Sequence, residues 1–383
     1  MSKELWKNFD KNYLYLFFFL VGTRLFLLFL SYVAYAEFEK GDYWYSFLVG
    51  MINQLEKADV YWYMNIATEG YLQKPFTSED YQNWAFYPLW PAILWLSNFT
   101  NLSMFSFGLI VCNLLFVASV ALMYKLLKKS FSKEISFLSC ILFLLFPYSY
   151  YFSRPGNESI FLFLTLLVFI FAQKKQWLWA GIFGALSTLA RVQGLFIIFP
   201  ILYLYWKDYR DTKKFNWSIA SVTLIPLSLC GFMYHLYYQT GNFFASFEIQ
   251  KAWHNGASYP FDAMFKYLHH PVIYAHSWEL SITTFSFMLS SVILAVWLVL
   301  KNKKYKIPVE YLLLMGFHIF VNVARTNLMA GNRYLIVVFP LFIGLAIMLE
   351  KKPNLLAFAQ FVFSATLCFF TVAIFNGRTW AMP

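Results

Sequence analysis

Long apolar runs dominate the chain and recur at nearly regular intervals. A helix needs about 20 apolar residues to cross a bilayer. On that measure the runs predict eleven helices, over 13–36, 104–125, 135–152, 158–173, 177–190, 194–206, 216–238, 280–300, 308–324, 333–349 and 354–375. Segments 177–190 and 194–206 are the shortest, each about 20 Å long at 1.5 Å per residue against a hydrocarbon core of ~30 Å. They suit short tilted spans or a hairpin that does not cross fully. The opening run, 13–36, is too long for a signal h-region and lacks a small-residue cleavage site, so it reads as an uncleaved first span. No repeat, low-complexity tract or linker divides the chain, and residues 1–383 are expected to form one integral membrane domain.

Composition agrees with this pattern. Of 383 residues, 60% are apolar and 13% charged, and the mean hydropathy is +0.54. A soluble domain is about 25% charged. A cytosolic enzyme or a secreted disulfide scaffold is thereby excluded, and the expected class is an all-α polytopic membrane protein. Cys112, Cys140, Cys230 and Cys368 lie in separate apolar runs without metal-ligand spacing, so they read as inert thiols.

Charge then supplies an orientation. The net charge of +11 would suggest nucleic acid in a soluble protein, but here its position matters more. Lys3, Lys7 and Lys11, Lys125 to Lys133, Lys174–Lys175, Lys207 to Lys214, Lys301 to Lys306 and Lys351–Lys352 fall between alternate pairs of runs. These segments hold 19 basic and 7 acidic residues; the opposite side holds 10 and 12, and Arg24 lies within the first run. The positive-inside rule places the first set in the cytoplasm, with the N-terminus inside. Nucleic acid is not expected as a partner; membrane lipid is.

Outer segments then cover about 37–103 and 239–279. The stretch 37–85 carries Trp44, Trp62, Trp84 and many tyrosines; the second loop carries Lys251, Trp253, His254, His269, His270 and His276. This mixture suits amphipathic segments lying at the membrane boundary. The cytoplasmic turns are short, so chemistry is expected on the outer face.

Few residues there can carry chemistry. Asp59 begins a stripe continued by Tyr63, Ile66, Ala67 and Gly70, at helical spacing, and Gly70 marks its stop. Glu158 opens the fourth run, where Asn157 or Ser159 would cap the helix. Arg191 separates two apolar stretches, Arg333 stands at the outer end of the tenth run, and Arg24 lies mid-run. Each has an ordinary reading: a solvated surface acid, a first-turn acid, an interfacial anchor, a structural ion pair. An ionised group at bilayer depth costs about 2.5–3.5 kcal/mol, so the arginines should face inward and have partners. Asp59, Arg154, Glu158, Arg191, Gln250, Lys251, Trp253 and Arg333 all map to the outer leaflet. A carboxylate among several cations is what handling a phosphate group requires. The carboxylate can take the proton of an attacking hydroxyl while arginine stabilises a phosphate leaving group.

These motifs resemble a known family. Asp59-x-x-x-Tyr63-x-x-Ile66-Ala67-x-x-Gly70-Tyr71, followed by Phe86-Tyr87-Pro88-Leu89-Trp90-Pro91, is similar to the first outer loop of PIG-V-like mannosyltransferases, of the GT-C class of polytopic glycosyltransferases. Asn157-Glu158-Ser159, Leu189-Ala190-Arg191-x-x-Gly194-Leu195, Gln250-Lys251-Ala252-Trp253 and Arg333-Tyr334-Leu335-x-x-x-Phe339-Pro340-Leu341 follow in order. Ala58 stands where the family usually has Trp, and Val192-Gln193 replaces a frequent Pro-Thr.

The resemblance implies a GT-C-type bundle of about eleven transmembrane helices with interfacial helices in its first outer loop. It implies transfer of a sugar, mannose by family, from a polyprenyl- or dolichyl-phosphate donor, with inversion, on the non-cytoplasmic face. The acceptor would be a lipid-linked or glycolipid molecule. By position Asp59 would be the general base, with Glu158 orienting the acceptor or assisting electrostatically. Arg191 and Arg333 would bind the donor phosphate; Gln250, Trp253, Tyr63 and Arg24 complete the expected substrate-binding set. No metal and no cofactor beyond the lipid-phosphate sugar is implied. The short Lys- and Asn-rich loops favour a bacterial cytoplasmic membrane; a eukaryotic chain would occupy the endoplasmic reticulum. Two other classes compete: a flippase of lipid-linked sugars, and a non-catalytic subunit of a glycosylation complex.

Overall fold

The structure is a computed structural model, described for residues 10–38, 43–269, 278–328 and 330–376. Among these residues it is helical, with one isolated β-bridge between Ala257 and Arg325. In chain order the principal helices are α1 (Asn12–Phe38), α2 (Tyr43–Leu55), α3 (Asp59–Glu69), α4 (Leu89–Trp95), α5 (Met104–Leu127), α6 (Lys133–Leu145), α7 (Glu158–Gln173) and α8 (Trp177–Ala190). They continue with α9 (Ile198–Thr212), α10 (Leu224–Thr240), α11 (Asp262–His269), α12 (Trp278–Leu300), α13 (Val309–Val323), α14 (Gly331–Leu335), α15 (Pro340–Leu349) and α16 (Pro353–Phe375).

Every run read from the sequence carries helix. Among the described residues, five helical stretches are long and apolar enough to cross a membrane: 12–37, 104–127, 217–240, 282–300 and 353–375. Their outward faces expose large apolar side chains such as Phe18, Leu25, Leu114, Ile293 and Phe361, as lipid-facing helices do. The protein is an integral membrane protein.

Several expected boundaries are corrected. The run 135–152 is two elements, because Pro147 cannot continue a helix and holds Phe146 extended (φ −56°, ψ 135°); α6 ends at Leu145 and a 3₁₀ turn follows over Ser149–Ser153. Pro340 likewise splits 333–349 into α14 and α15. The runs 194–206 and 216–238 each start as 3₁₀ turns, Val192–Ile197 and Trp217–Thr223, before becoming α9 and α10. His270, His276, Lys3 and Lys7 lie outside the described residues.

Helix α7 is the centre of the bundle. It is apolar on all sides and packs against α5 and α8, while α8 packs on α10, and α6 on α15. The direction of these helices sorts the charges. Lys128 pairs with Asp10 at the C-terminal end of α5, and Lys129 bonds Gln173 at the C-terminal end of α7. Glu158, Arg191 and the first loop collect at the other end, about 24 Å away along the 16 residues of α7.

The expected interfacial helices in the 37–103 segment are α2, α3 and α4. A smaller apolar cluster, with Trp84, Tyr87, Phe232, Leu236 and Ile249, joins this segment to α10 and the 3₁₀ turn Ile249–Trp253.

One glycine decides how α8 ends. The Val192–Ile197 turn folds back on it so closely that a Cβ at Gly194 would lie 2.5 Å from the Ser187 carbonyl carbon and 2.7 Å from its oxygen. These are backbone atoms and cannot swing aside. Gly194→Ala is therefore expected to lose about 1–3 kcal/mol in thermal unfolding of the purified protein. Gly231 has nothing within 4 Å of its position, and Gly231→Ala should be neutral or slightly stabilising in the same measurement.

Candidate active site

The helix α3 forms as its pattern predicts. Val60, Tyr63, Ile66 and Ala67 are buried, Asp59 occupies the favourable first turn, and the chain stops at Gly70 (φ 79°), whose N–H donates to Ile66 O at 2.9 Å. Asp59 is thus a carboxylate on the buried edge of an interfacial helix.

Three contacts lock the first loop, which carries α3, to the turn before α7. Trp90, fully buried in α4, donates Nε1–H to Pro155 O at 3.0 Å. Arg154 donates Nε–H to Leu55 O at 3.2 Å and its Nη2 to Lys57 O. Arg333 bridges the two segments through Asp59 and Glu158. The bonds from Arg154 grip the chain on both sides of Glu56. They lie just ahead of Ala58, which is held at φ 54°, ψ −132°, a conformation that costs a non-glycine residue about 1–3 kcal/mol. Arg154→Met should release that grip. Amides of residues 56–60 are expected to exchange about ten- to a hundredfold faster, the effect of losing both hydrogen bonds, with the core of α7 unaffected.

The caps expected at α7 are corrected. Neither Asn157 nor Ser159 bonds its own helix N-terminus. Asn157 donates Nδ2–H to Ala190 O at 2.9 Å, and Ser159 donates to Phe152 O at 2.8 Å. The bond from Nδ2–H ties the start of α7 to the carbonyl that ends α8, one residue before Arg191, while the Asn157 oxygen that a cap would use stays unpartnered.

Around these anchors four charges meet. Arg333 donates Nε–H to Glu158 Oε1 and Nη1–H to Asp59 Oδ2, so a single guanidinium joins two carboxylates. Arg191 Nη2 lies 3.5 Å from the same Glu158 Oε1. Aromatic rings pad the cations: Arg333 lies 5.0 Å over Tyr151, and Arg191 lies 4.9 Å over Tyr334. Side-chain exposure is graded, at 1% for Glu158, 6% for Arg191, 8% for Arg333 and 30% for Asp59. Only Asp59 reaches solvent appreciably.

Burial pushes the Asp59 carboxyl up, but the guanidiniums of Arg333 and Arg154 outweigh it and hold the group below its ordinary value. Its ring neighbour Tyr63 is pushed well above the ordinary phenol value by burial and by the Asp59 charge, so it stays protonated. Buried donors and acceptors remain open within the cluster: Arg191 Nη1, Glu158 Oε2 and Asn157 Oδ1 have no hydrogen-bond partner. Unmade hydrogen bonds of this kind are costly, and a ligand group would satisfy the Arg191 donor.

The remaining expected residues divide. Tyr63 lies in the wall, its ring 5.2 Å from Phe86. Trp253 joins the same wall, 5.9 Å from Phe86 and 6.3 Å from Trp62. Gln250 accepts a bond from Asn255, which in turn accepts from Arg325 Nε at 2.9 Å, and Arg325 lies 4.8 Å over Tyr334. Gln250 thus reaches Arg325 through Asn255, and Arg191 only through Asn255, Arg325 and the Tyr334 ring that both arginines share. Arg24 does not join them. It donates to Ser149 Oγ at 3.0 Å and lies 5.3 Å over Phe116.

Arg325 was not singled out in the sequence, although it carries the signal that marks Arg191: a lone cation ending an apolar run.

Residues 87–238, less than half the chain, match the family model described as dolichyl-phosphate-mannose-protein mannosyltransferase. The matched segment includes Glu158 and Arg191 and excludes Asp59 and Arg333. GPI mannosyltransferase 2 from two strains of Cryptococcus neoformans var. neoformans serotype D is 29% identical over 154 residues. Over these stretches the chain is similar to mannosyltransferases. The shared stretch covers 38% of this chain and 36% of those relatives, so the chain spans little over a third of their length. Among solved structures, the Archaeoglobus fulgidus oligosaccharyltransferase tethered with an acceptor peptide aligns with a TM-score of 0.43 at 12% identity, covering 88% of this chain and 55% of that one. The same archaeal enzyme in complex with an inhibitory peptide and a dolichol-phosphate aligns at 0.44 and 11%, with the same coverage.

Proposed function

We propose that this chain is a membrane glycosyltransferase of GT-C type, moving mannose from a polyprenyl-phosphate donor to a hydroxyl of a lipid-linked or glycan acceptor. The observation that carries the reading is the cluster of Asp59, Arg333, Glu158 and Arg191, in which one half-open carboxylate stands before two buried guanidiniums. The mannosyltransferase relatives supply the sugar.

In this mechanism the acceptor oxygen attacks the anomeric carbon while Asp59 takes its proton. The bond from that carbon to the phosphate oxygen breaks, and its electron pair leaves with the polyprenyl phosphate. Arg191 and Arg333 meet the growing phosphate charge, as positioned cations do at leaving groups. A single displacement of this kind inverts the anomeric configuration. Glu158 is too enclosed to touch an acceptor, so its part is to align both arginines.

The cluster lies at the end of the bundle opposite the Lys128 and Lys129 turns, which supports an active site on the non-cytoplasmic face. A bacterial cytoplasmic membrane with the N-terminus inside fits this arrangement.

The test uses purified protein in detergent with polyprenyl-phosphate [¹⁴C]mannose and a lipid extract as acceptor. Label is expected to move to a new lipid with release of polyprenyl phosphate. Movement of the intact donor across reconstituted vesicles, without cleavage, would overturn the proposal in favour of a flippase. Intact donor with no movement would leave a non-catalytic subunit.

A further inference from the structure

A second concave site lies along the flank of α3, outside the charged cluster. Its volume is about 900 Å³, within the range of ligand pockets. Trp62, Asn65 and Glu69, spaced three and seven residues apart on one helix stripe, form one wall; Gln239 and His235 of α10 and Trp95 of α4 stand among the others.

The polar part of the wall is organised in advance. Asn83, 4% exposed, donates Nδ2–H to Asn65 Oδ1 at 3.1 Å and to Gly70 O at 3.0 Å, and accepts from Leu72 N at 3.1 Å. Asn65 passes the order on, donating Nδ2–H to Glu69 Oε2 at 2.8 Å. A carboxylate on an interfacial helix is thereby fixed toward the cleft with its other oxygen able to accept.

Among the described residues no lysine or arginine lines this cleft, in contrast to the arginines beside Asp59. With Glu69 as its charged member it would repel phosphate. Amides and a carboxylate offer donors and acceptors suited to hydroxyl groups, while Trp62, Trp95 and Tyr61 offer flat apolar faces. A pyranose ring is such a ligand, apolar on its C–H face and ringed by hydroxyls. Trp62 lies one turn from Asp59, about 4.5 Å along the helix axis, and touches the Trp253 and Phe86 rings of the catalytic wall.

We propose that this cleft binds an uncharged hexose unit of the acceptor and so delivers its hydroxyl toward Asp59. The inference rests on the transferase reading and names the chemistry of its acceptor subsite.

Saturation-transfer NMR of the full chain in detergent, with methyl α-mannopyranoside as the probe, tests it. Transfer to the sugar C–H protons is expected. Glu69→Ala and Trp95→Ala, both at exposed positions, should each weaken binding about tenfold, the effect of one lost hydrogen bond or ring contact, and Glu69→Gln should restore most of it. Equal signal in the parent and both variants would overturn the cleft assignment while leaving the transferase proposal standing. So would binding of inorganic phosphate that Glu69→Ala abolishes. Sugar binding lost in both variants, from a protein that cleaves no polyprenyl-phosphate mannose, would retain the cleft and sink the transferase proposal instead.

Discussion

An Asp59→Asn variant is expected to fold as the parent does and to lose about 10²–10⁴ of its transfer rate, the usual contribution of a general base. The asparagine amide has nearly the same shape, and Arg333 keeps its bond to Glu158 when Asp59 changes. What disappears is the oxygen that accepts a proton. In the resting protein that oxygen is a weak base, because Arg333 and Arg154 hold its carboxyl below the ordinary range despite burial. A donor phosphate competes for the Arg333 guanidinium, and as it does so the pairing with Asp59 weakens and the carboxylate becomes more basic. Base strength and donor binding are then coupled through one side chain. The sign of the pH effect follows. A depressed carboxyl is ionised throughout the neutral range, so kcat/KM should show no acid limb from Asp59 above about pH 4. Its contribution to stability is present above the unfolded value of the group and is lost as pH falls through the lower folded value, so Asp59→Asn should blunt acid unfolding below about pH 4. Donor turnover and unfolding across pH check both. Turnover equal to the parent would remove Asp59 from the mechanism.

Much of this architecture is visible in the sequence because lipid imposes a simple requirement: a run of about 20 apolar residues must be helical to satisfy its own backbone. Helices such as 158–173 and 177–190 match their predicted bounds to the residue. The interruptions at Pro147 and Pro340 were hidden because the flanking residues stay apolar through the break, so hydropathy does not register it. The site residues were visible individually, as charges in apolar surroundings that need partners. Their meeting was not. Asp59 and Arg333 are 274 positions apart, and the bond between them depends on how α3 lies against α7 and α14. Local rules failed where a distant group intervened, as when Asn157 orients its Nδ2–H to the Ala190 carbonyl and its oxygen caps nothing. The role of Arg154 leaves no trace in the sequence, because its partners are backbone carbonyls. The cleft beside α3 is hidden for a related reason: its walls come from α3, the 70–83 loop, α4 and α10.

Glu158→Ala is expected to produce the largest loss of stability in the chain. Glu158 Oε1 is the acceptor shared by Arg333 and Arg191, and the side chain is 1% exposed. Removing it leaves two guanidiniums enclosed by protein with one carboxylate, Asp59, between them. Breaking a buried ion pair in this way costs about 3–5 kcal/mol, chiefly as the penalty of the stranded charge. Glu158→Gln should be milder, since the amide oxygen still accepts from Arg333 while the formal charge is lost. The two substitutions therefore separate shape from charge. A cycle with Arg333→Met adds a further expectation. Once Glu158 is gone, Arg333 and Arg191 are left with Asp59 as the one carboxylate of the cluster, and removing Arg333 relieves the excess positive charge, so the double variant should be more stable than the sum of the two single losses by about 1–3 kcal/mol. Unfolding in mixed micelles of increasing SDS measures each term. Additive losses would mean that Glu158 and Arg333 are not energetically joined, and the account of Glu158 as the group aligning both arginines would fall with that result. Coupling of the expected size, with Glu158→Gln retaining more transfer activity than Glu158→Ala, would establish that the cluster works as one unit in which Asp59 is the exposed member.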